Sequence, residues 1–136
     1  KNNINSTIPP EIGMLSQLQE LSLYNNNITG TIPTEVGKLA RLEDVRLNNN
    51  LITGPIPTEI GMMSKIKRLI LNDNILIGTI PSGMMSNLQT LHLSHNRLSS
   101  SMLHLSNATS SLRYLNISHN VLTSFPFGAN GFKDLE

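Results

Sequence analysis

The sequence of 136 residues contains no cysteine, which excludes disulfide bonds and thiol chemistry. Charged residues make up 14% and the net charge is +1, so no basic run is present to bind nucleic acid or an anionic membrane. No apolar run approaches the ~20 residues that a membrane-spanning helix needs. Aromatic residues account for only 4% and hydrophobic residues for 38%, a composition that indicates a narrow core under a large polar surface.

The chain is instead built on a repeated frame, L-x-x-L-x-L-x-x-N-x-L followed by x-G-x-I-P. The frame is clearest in LQELSLYNNNITGTIP, which begins at Leu18, and in LEDVRLNNNLITGPIP, which begins at Leu42. It starts again at Ile66, Leu88 and Leu112, with successive spacings of 24, 24, 22 and 24 residues. Self-similarity at a period of about 20–29 residues predicts a solenoid in which each repeat packs only against its neighbours.

Within each unit the pattern predicts a strand followed by a turn. Leu21 and Leu23 alternate with Ser22 and Tyr24, which indicates a short, half-buried strand. An asparagine follows where the chain must turn, and its amide can pair with main-chain groups that the turn leaves open. We predict that these residues stack as a structural asparagine ladder: Asn2, Asn26, Asn50, Asn74, Asn96 and Asn120.

The residues after the turn predict how each coil closes. Gly30, Gly54 and Gly78 stand where the chain bends back, a position that favours positive φ or close approach. The Ile-Pro pairs at 32–33, 56–57 and 80–81 predict a second short extended segment with its apolar residue inward. The fourth coil lacks Gly-x-Ile-Pro, so we expect this second strand to break near residues 99–111. The break is either an inserted functional loop or drift towards the end of the array.

With these motifs the chain resembles the plant-type leucine-rich repeat proteins, whose consensus is L-x-x-L-x-L-x-x-N-x-L-T-G-x-I-P-x-x-I-G-x-L. The match is close in LEDVRLNNNLITGPIPTEIGMM, residues 42–63, covers about residues 1–87, and continues as a Leu/Asn frame to Leu122. The resemblance implies an α/β-type solenoid, a right-handed superhelix or horseshoe. A parallel β-sheet would form its concave face, and loops or short 3-10 turns its convex face. Members of the family include receptor-like kinase ectodomains, polygalacturonase-inhibiting proteins and repeat proteins of some algae and other protists.

We expect one leucine-rich repeat array over residues 1–136. Residues 2–9 align with residues 26–33, so the chain opens within a repeat, and neither end has a capping pattern. These features predict a fragment of a longer array. The predicted boundaries are a partial repeat at 1–17 and repeats at 18–41, 42–65, 66–87, 88–111 and 112–134.

The resemblance implies that a protein or peptide binds to the concave face of an extracellular or cell-surface receptor-like protein. A cell-wall enzyme inhibitor would be a narrower version of this function, and a soluble intracellular (cytoplasmic) interaction scaffold is the alternative. Aromatic and arginine side chains tend to dominate interface energetics. The candidate concave-face residues are Tyr24, Asp44, Arg46, Arg68, Ile70, His92, His95, Tyr114 and His119.

Catalytic, cofactor and metal chemistry find little support in the sequence. It has no nucleophile elbow, Gly-rich phosphate loop or paired carboxylates, so we predict neither an enzyme nor a cofactor. His95 and His119 occupy equivalent places, with His92 two residues away, and neutral imidazole is a common metal ligand. However, Asp73 is the only carboxylate in the same register, so the sequence does not predict a metal site.

Two further patterns are independent of the leucine frame. The N-x-S/T sequons at Asn5, Asn27, Asn107 and Asn116 are possible N-glycosylation sites, although a composition rich in Asn, Ser and Thr produces such sequons by chance. Secretion therefore does not follow from them. On the turn side, regular threonines can order water, as in ice-binding solenoids, which makes ice binding a further alternative. The threonines that share a register by repeat count are Thr7, Thr31 and Thr79, and Pro55 and Ser101 interrupt that register.

Overall fold

The computed structural model describes residues 2–81, 87–99 and 111–123. All of its regular elements are short. The strands are β1 (Glu20–Ser22), β2 (Asp44–Arg46), β3 (Thr53–Pro55), β4 (Arg68–Ile70), β5 (Ile75–Gly78), β6 (Thr90–His92), β7 (Arg97–Leu98) and β8 (Tyr114–Asn116). Three 3-10 helices follow the turns: η1 (Pro10–Met14), η2 (Thr34–Lys38) and η3 (Thr58–Met62). None of the helices in these ranges is long and apolar enough to cross a membrane.

One strand from each coil enters a five-stranded parallel sheet in the order β1-β2-β4-β6-β8. The central residue of each strand lies opposite its equivalent in the next coil, so that Leu21 faces Val45 and Val45 faces Leu69. The same register continues through Leu91 to Leu115. The prediction of a leucine-rich repeat solenoid, with parallel strands on one side and 3-10 turns on another, is confirmed.

A second, three-stranded parallel sheet has the order β3-β5-β7. Its strands lie around Gly54 and Gly78 rather than at the Ile-Pro pairs, where the sequence analysis placed the second extended segment. Pro57 and Pro81 lack the N–H that a ladder bond needs, so the Ile-Pro pairs do not extend the sheet, whose strands end at Pro55 in β3 and at Gly78 in β5. Ile56 and Ile80 nevertheless point inward and are buried, as expected. The predicted break of this second strand falls largely on residues 100–110, outside the described residues.

The two sheets differ in register. In the five-stranded sheet Val45 pairs with Leu69, which lies 24 residues further on. Between the same two coils, Thr53 of the second sheet pairs with Ile75, only 22 residues further on. The isolated bridge from Thr31 to Thr53 has the same spacing. The second sheet is therefore staggered by two residues per coil.

The core is a stack of equivalent apolar positions, and its burial depends on neighbouring coils. Leu39 has no solvent exposure and Met63 only 4%, whereas Leu15, at the same position of the first coil, is 51% exposed. The difference follows from packing, because a middle coil is covered on both sides and the first described coil on one. Other side chains with essentially no exposure are Leu42, Leu47, Ile52, Ile60, Ile66, Leu69, Leu71, Leu76, Leu88 and Leu91.

The asparagines at the turns connect successive coils. Asn50 Oδ1 accepts a hydrogen bond from Ile28 N at 3.0 Å, and its Nδ2 donates to the carbonyls of Leu23 and Leu47, both at 3.0 Å. Asn74 repeats this geometry one coil later and donates to the same Leu47 carbonyl at 2.9 Å. Each ladder carbonyl between two coils thus receives two side-chain donors. The same pattern holds at Asn96 and Asn120, whereas Asn26 accepts from Ile4 N and donates to carbonyls of its own coil, those of Leu23 and Tyr24.

The glycines at the bend are required by conformation and by space. Gly54 has φ +75, in the left-handed region that disfavours a side chain. A Cβ on Gly54 would lie 2.7 Å from Thr31 Cγ2, whereas one on Gly78 would lie 3.7 Å from Pro55 Cβ. The predicted positive φ and close approach therefore coincide at Gly54, and only the positive φ applies at Gly78.

Candidate functional site

The solvent-facing side of the five-stranded sheet, which we call the five-strand face, carries the first and third residues of each strand. Their alternation with the buried central residues decides which side chains are presented. Most of the sequence-predicted contact residues lie on this face, while His95 and His119 lie just beyond the strand ends, at its edge. The candidates within the strands are Asp44, Arg46, Arg68, Ile70, His92 and Tyr114, and we include Tyr24, which continues the alternation two residues beyond β1.

Asp44 forms the electrostatic centre of the five-strand face. Its Oδ2 accepts hydrogen bonds from Arg46 Nη2 at 2.8 Å and from Arg68 Nε at 2.8 Å, and Arg68 Nη2 also contacts it. Burial by itself raises the pKa of the Asp44 carboxyl, but hydrogen bonds and attraction from the two arginines outweigh it and hold the pKa below its usual value. Because Asp44 is only 4% exposed, it positions the two guanidinium groups rather than meeting a partner directly.

The arginines remain accessible although they share this carboxylate. The side chain of Arg68 is 51% exposed and that of Arg46 is 35% exposed. Because two guanidinium groups share one carboxylate, this part of β2 and β4 carries a net positive charge. At the start of the same strands Lys67 Nζ pairs with Glu43 Oε2 at 2.6 Å. The hydrogen bond from Lys67 lowers the pKa of Glu43, but exposed pairs of this kind add little stability.

Apolar side chains flank the charged centre. Ile70 is half-buried in the middle strand and lies in register with Arg46 on one side and His92 on the other. Tyr24, two residues beyond the end of β1, and Tyr114 on β8 are exposed large hydrophobic residues. The face therefore combines three apolar anchors with two arginines, a mixture typical of residues that dominate binding energies.

His92 is held within the face by two contacts. Its Nε2 lies 2.8 Å from Ser94 Oγ, and its ring meets Tyr114 edge-on with centroids 5.7 Å apart. Burial lowers the pKa of His92. Attraction from Asp73 acts against this shift, and His95 lowers the pKa further. The imidazole of His92 therefore favours its neutral form.

A column of left-handed residues borders the strand ends. Asparagine, aspartate and histidine are the non-glycine residues most tolerant of this conformation. The two histidines stack, with ring centroids 4.1 Å apart and planes at 15°. Within the three described ranges no group of three or more metal-ligating side chains is found. The members of the column, all with φ of 52 to 56, are Asn25, Asn49, Asp73, His95 and His119.

An open groove runs beside this column, and the candidate list from the sequence did not include it. Its lining includes Asn25, Asn27, Asn49, Leu51 and Asp73. The sequence offered one signal for this groove, the residue that precedes each ladder asparagine. That residue adopts positive φ, so its side chain points in a different direction from the side chain of a strand residue. This consequence depends on the turn geometry and is not visible in hydrophobic periodicity.

The predicted sequons differ in their surroundings. Asn5 and Asn27 are exposed. Asn116 is half-buried on the five-strand face, where its Oδ1 accepts from Ser118 N at 3.1 Å and from Ser118 Oγ at 2.8 Å. Asn107 lies outside the described residues.

The threonines of the second sheet are exposed, but their register is not the predicted one. Thr7 pairs with Thr29, and Thr31 pairs with Thr53. The predicted column, in which Thr7 and Thr31 would be neighbours, is wrong because the second sheet is staggered by two residues per coil. Further along this sheet non-threonine residues interrupt the array: Pro55 lies opposite Ile77, and Ile77 opposite Arg97.

Comparison with protein families identifies the repeats. A model described as leucine-rich repeats in two copies matches residues 16–58, and a single leucine-rich repeat model matches residues 87–108 and 111–131. No curated protein matches the chain significantly.

Among solved structures, the plant peptide hormone receptor RGFR1 in complex with RGF2 is 34% identical, with a TM-score of 0.83, over 97% of this chain and 23% of the receptor chain. The leucine-rich repeat ectodomain of the receptor kinase SOBIR1 from Arabidopsis thaliana is 29% identical, with a TM-score of 0.78, over 90% of this chain and 72% of the ectodomain. A plant ice-binding protein is 33% identical, with a TM-score of 0.80, over 87% of this chain and 39% of that protein. The chain thus spans less than a quarter of the receptor that it resembles.

Proposed function

Since the chain belongs to the plant-type leucine-rich repeat proteins, we propose that it binds a peptide or protein segment on its five-strand face, the surface predicted to be concave. The chain acts in this proposal as part of a receptor-like protein at the cell surface or outside the cell. It binds and does not catalyse. The repeat boundaries predicted from the sequence, with their partial first repeat, are part of the same proposal.

The observation that carries the proposal is the arrangement around Asp44. A buried carboxylate fixes two accessible guanidinium groups beside Ile70, with a tyrosine at each end of the sheet. Rigidly held arginines and exposed aromatic residues lose little freedom on binding, which favours affinity.

The five described strands together are long enough to hold a short extended peptide. Five strands at ~4.8 Å spacing span about 20 Å, a distance that about six residues of extended chain cross at ~3.3 Å each. A standard protein–protein interface needs about 800 Å² on each partner. Five strands alone offer a smaller surface. Similarity to a plant receptor solved with RGF2 supports the same proposal.

The test is selection of a displayed random-peptide library on the purified chain, followed by calorimetric titration of a selected peptide. Tyr114→Ala and Arg68→Ala should each weaken binding by about tenfold or more, as expected for truncation of an anchor residue. Met62→Ala is the matched control, because Met62 is 81% exposed on η3, away from the sheet. Binding that survives both face variants, or that is lost in the Met62 variant, would contradict the proposal.

The cellular location is tested by the intact mass of the protein from its own cells before and after removal of N-glycans. A mass loss mapped to Asn5, Asn27 or Asn107 is the expected result for an extracellular protein. Unmodified peptides at every sequon would favour the intracellular scaffold instead. A glycan on Asn116 would oppose binding at that end of the five-strand face, because Asn116 lies within it.

A second candidate function, ice binding, rests on the paired threonines of the second sheet. Thr7, Thr29, Thr31 and Thr53 are exposed and form two cross-strand pairs, and a plant ice-binding protein shares the fold. Thr31→Tyr should then abolish inhibition of ice recrystallisation, while Arg68→Ala on the opposite sheet should leave it intact. An absence of such inhibition in the unmodified protein would reject this candidate.

A further inference from the structure

We propose that His95 and His119 form a two-imidazole site for one divalent transition-metal ion of the Cu²⁺, Ni²⁺ and Zn²⁺ class. The site lies at the edge of the five-strand face and does not depend on peptide binding there. It rests on geometry that the sequence could not supply, the contact between the two rings.

The backbone holds the two histidines side by side. His95 N donates to Ser118 O at 3.1 Å, and Asn96 N donates to His119 O at 3.2 Å, so both residues are fixed by the ladder on either side of their turns. Both have the left-handed conformation, with φ of 53 and 52, and both side chains are exposed. Their positions are therefore set by the main chain, while the rings are free to rotate.

The ring nitrogens of this pair are uncommitted. Neither imidazole forms a hydrogen bond or ion pair with another described residue, and the stacking of the rings is their only contact of this kind. His92 differs, because its Nε2 is engaged by Ser94 Oγ at 2.8 Å. The lone pairs of His95 and His119 are consequently available to an ion, and that of His92 Nε2 is not.

The ring separation suits a shared ion. Metal–imidazole bonds are ~2.0–2.1 Å long, so two nitrogens on one ion lie about 3–4 Å apart. The stacked ring centroids are 4.1 Å apart, and binding requires the two exposed side chains to rotate so that one nitrogen of each turns towards the ion. Asp73 occupies the equivalent place on the preceding coil and adds a negative charge beside the pair.

The donor set determines which ions bind. Imidazole suits copper, nickel and zinc, whereas calcium and magnesium prefer oxygen ligands. Cu²⁺ should bind more tightly than Ni²⁺ or Zn²⁺, following the general order of stability for divalent ions. Two protein ligands leave further coordination positions for water or for a group from a bound partner.

The test is calorimetric titration of the untagged protein with CuSO₄ and with ZnSO₄ at pH 7.5. One ion per chain is expected, and no heat is expected with CaCl₂. His95→Asn and His119→Asn should each abolish this binding, and asparagine is structurally compatible because Asn25 and Asn49 occupy the same position in earlier coils. His92→Gln is the control and should leave the stoichiometry unchanged.

A gain-of-function variant provides an independent check. Asn25→His with Asn49→His places the same pair three coils earlier and should raise the stoichiometry from one ion to two. No binding by the unmodified protein, or unchanged binding in the His95 and His119 variants, which both retain His92 and His104, would overturn the proposal. So would a paired Asn25 and Asn49 variant that gains no ion.

Discussion

Replacement of Asn50 by alanine should destabilise the protein through one main-chain group in particular. Asn50 Oδ1 is the hydrogen-bond acceptor for Ile28 N, which is buried and has no other partner among the described residues. The two carbonyls that receive Asn50 Nδ2 are less affected. Leu23 O keeps its bond from Asn26, and Leu47 O keeps its bond from Asn74.

The magnitude follows from these partners. A buried N–H left without an acceptor costs about 1–3 kcal/mol, and each of the two lost bonds to a carbonyl that keeps a partner costs about 0.5 kcal/mol. We expect Asn50→Ala to lower the free energy of unfolding by about 3 kcal/mol, a factor of roughly 150 in the equilibrium constant. The measurement is urea unfolding followed by circular dichroism.

Asn26→Ala is the matched control. The N–H that it would leave without an acceptor belongs to Ile4, which is 42% exposed, so water can replace the lost bond. The expected loss is about 1 kcal/mol. Equal losses in the two variants, or a loss below about 1 kcal/mol for Asn50→Ala, would refute the reasoning that a buried N–H is the decisive group.

Three further predictions concern backbone conformation and pH. Gly54→Ala should destabilise more than Gly78→Ala in urea unfolding, because both impose about 1–2 kcal/mol of left-handed strain but only the first adds a contact with Thr31. Burial alone would raise the pKa of Asp44, but its arginine partners lower it, so its contribution to stability is present above about pH 3.9 and lost as the pH falls through its folded-state pKa. When the urea unfolding midpoint is plotted against pH, Asp44→Asn should reduce its decline at acid pH. Burial lowers the pKa of His92, so stability should begin to fall below about pH 6.5, and His92→Gln should remove that part of the curve.

The five-stranded sheet and the asparagine turns were predictable because spacing determines them. Val45 and Leu69 occupy the same place in units of equal length, and a parallel sheet pairs equivalent residues when each coil adds the same number of residues. The bend at Gly54 was predictable for the same reason, since only glycine tolerates its conformation and its contact with Thr31.

The partner of Thr31 could not be obtained by counting. Repeat spacing makes Pro55 its equivalent, but the second sheet is staggered by two residues per coil and pairs Thr31 with Thr53. Likewise, Asp44 and Arg68 occupy the same outward position of successive strands in the sequence. Only the structure shows that Asp44 is buried beneath Arg68. The stacking of His95 on His119 also depends on side-chain rotation, which periodicity does not encode. Which of the face residues contact a ligand stays a prediction.

The asparagine ladder gives the array a direction. The N–H groups of Ile28, Ile52, Leu76 and Leu98 are each satisfied by an asparagine of the following coil, never of the preceding one. Removal of a coil from the carboxyl side would therefore leave a main-chain donor unsatisfied in the coil that remains. The main-chain ladder loses donors in either case, because Leu51 N donates to the preceding coil and Leu23 N to the following one. Among the asparagine bonds, however, removal from the amino side frees only a side-chain amide, which water can solvate by a change of rotamer. Progressive shortening should consequently be tolerated unequally from the two sides, and unravelling should advance more readily from the carboxyl side.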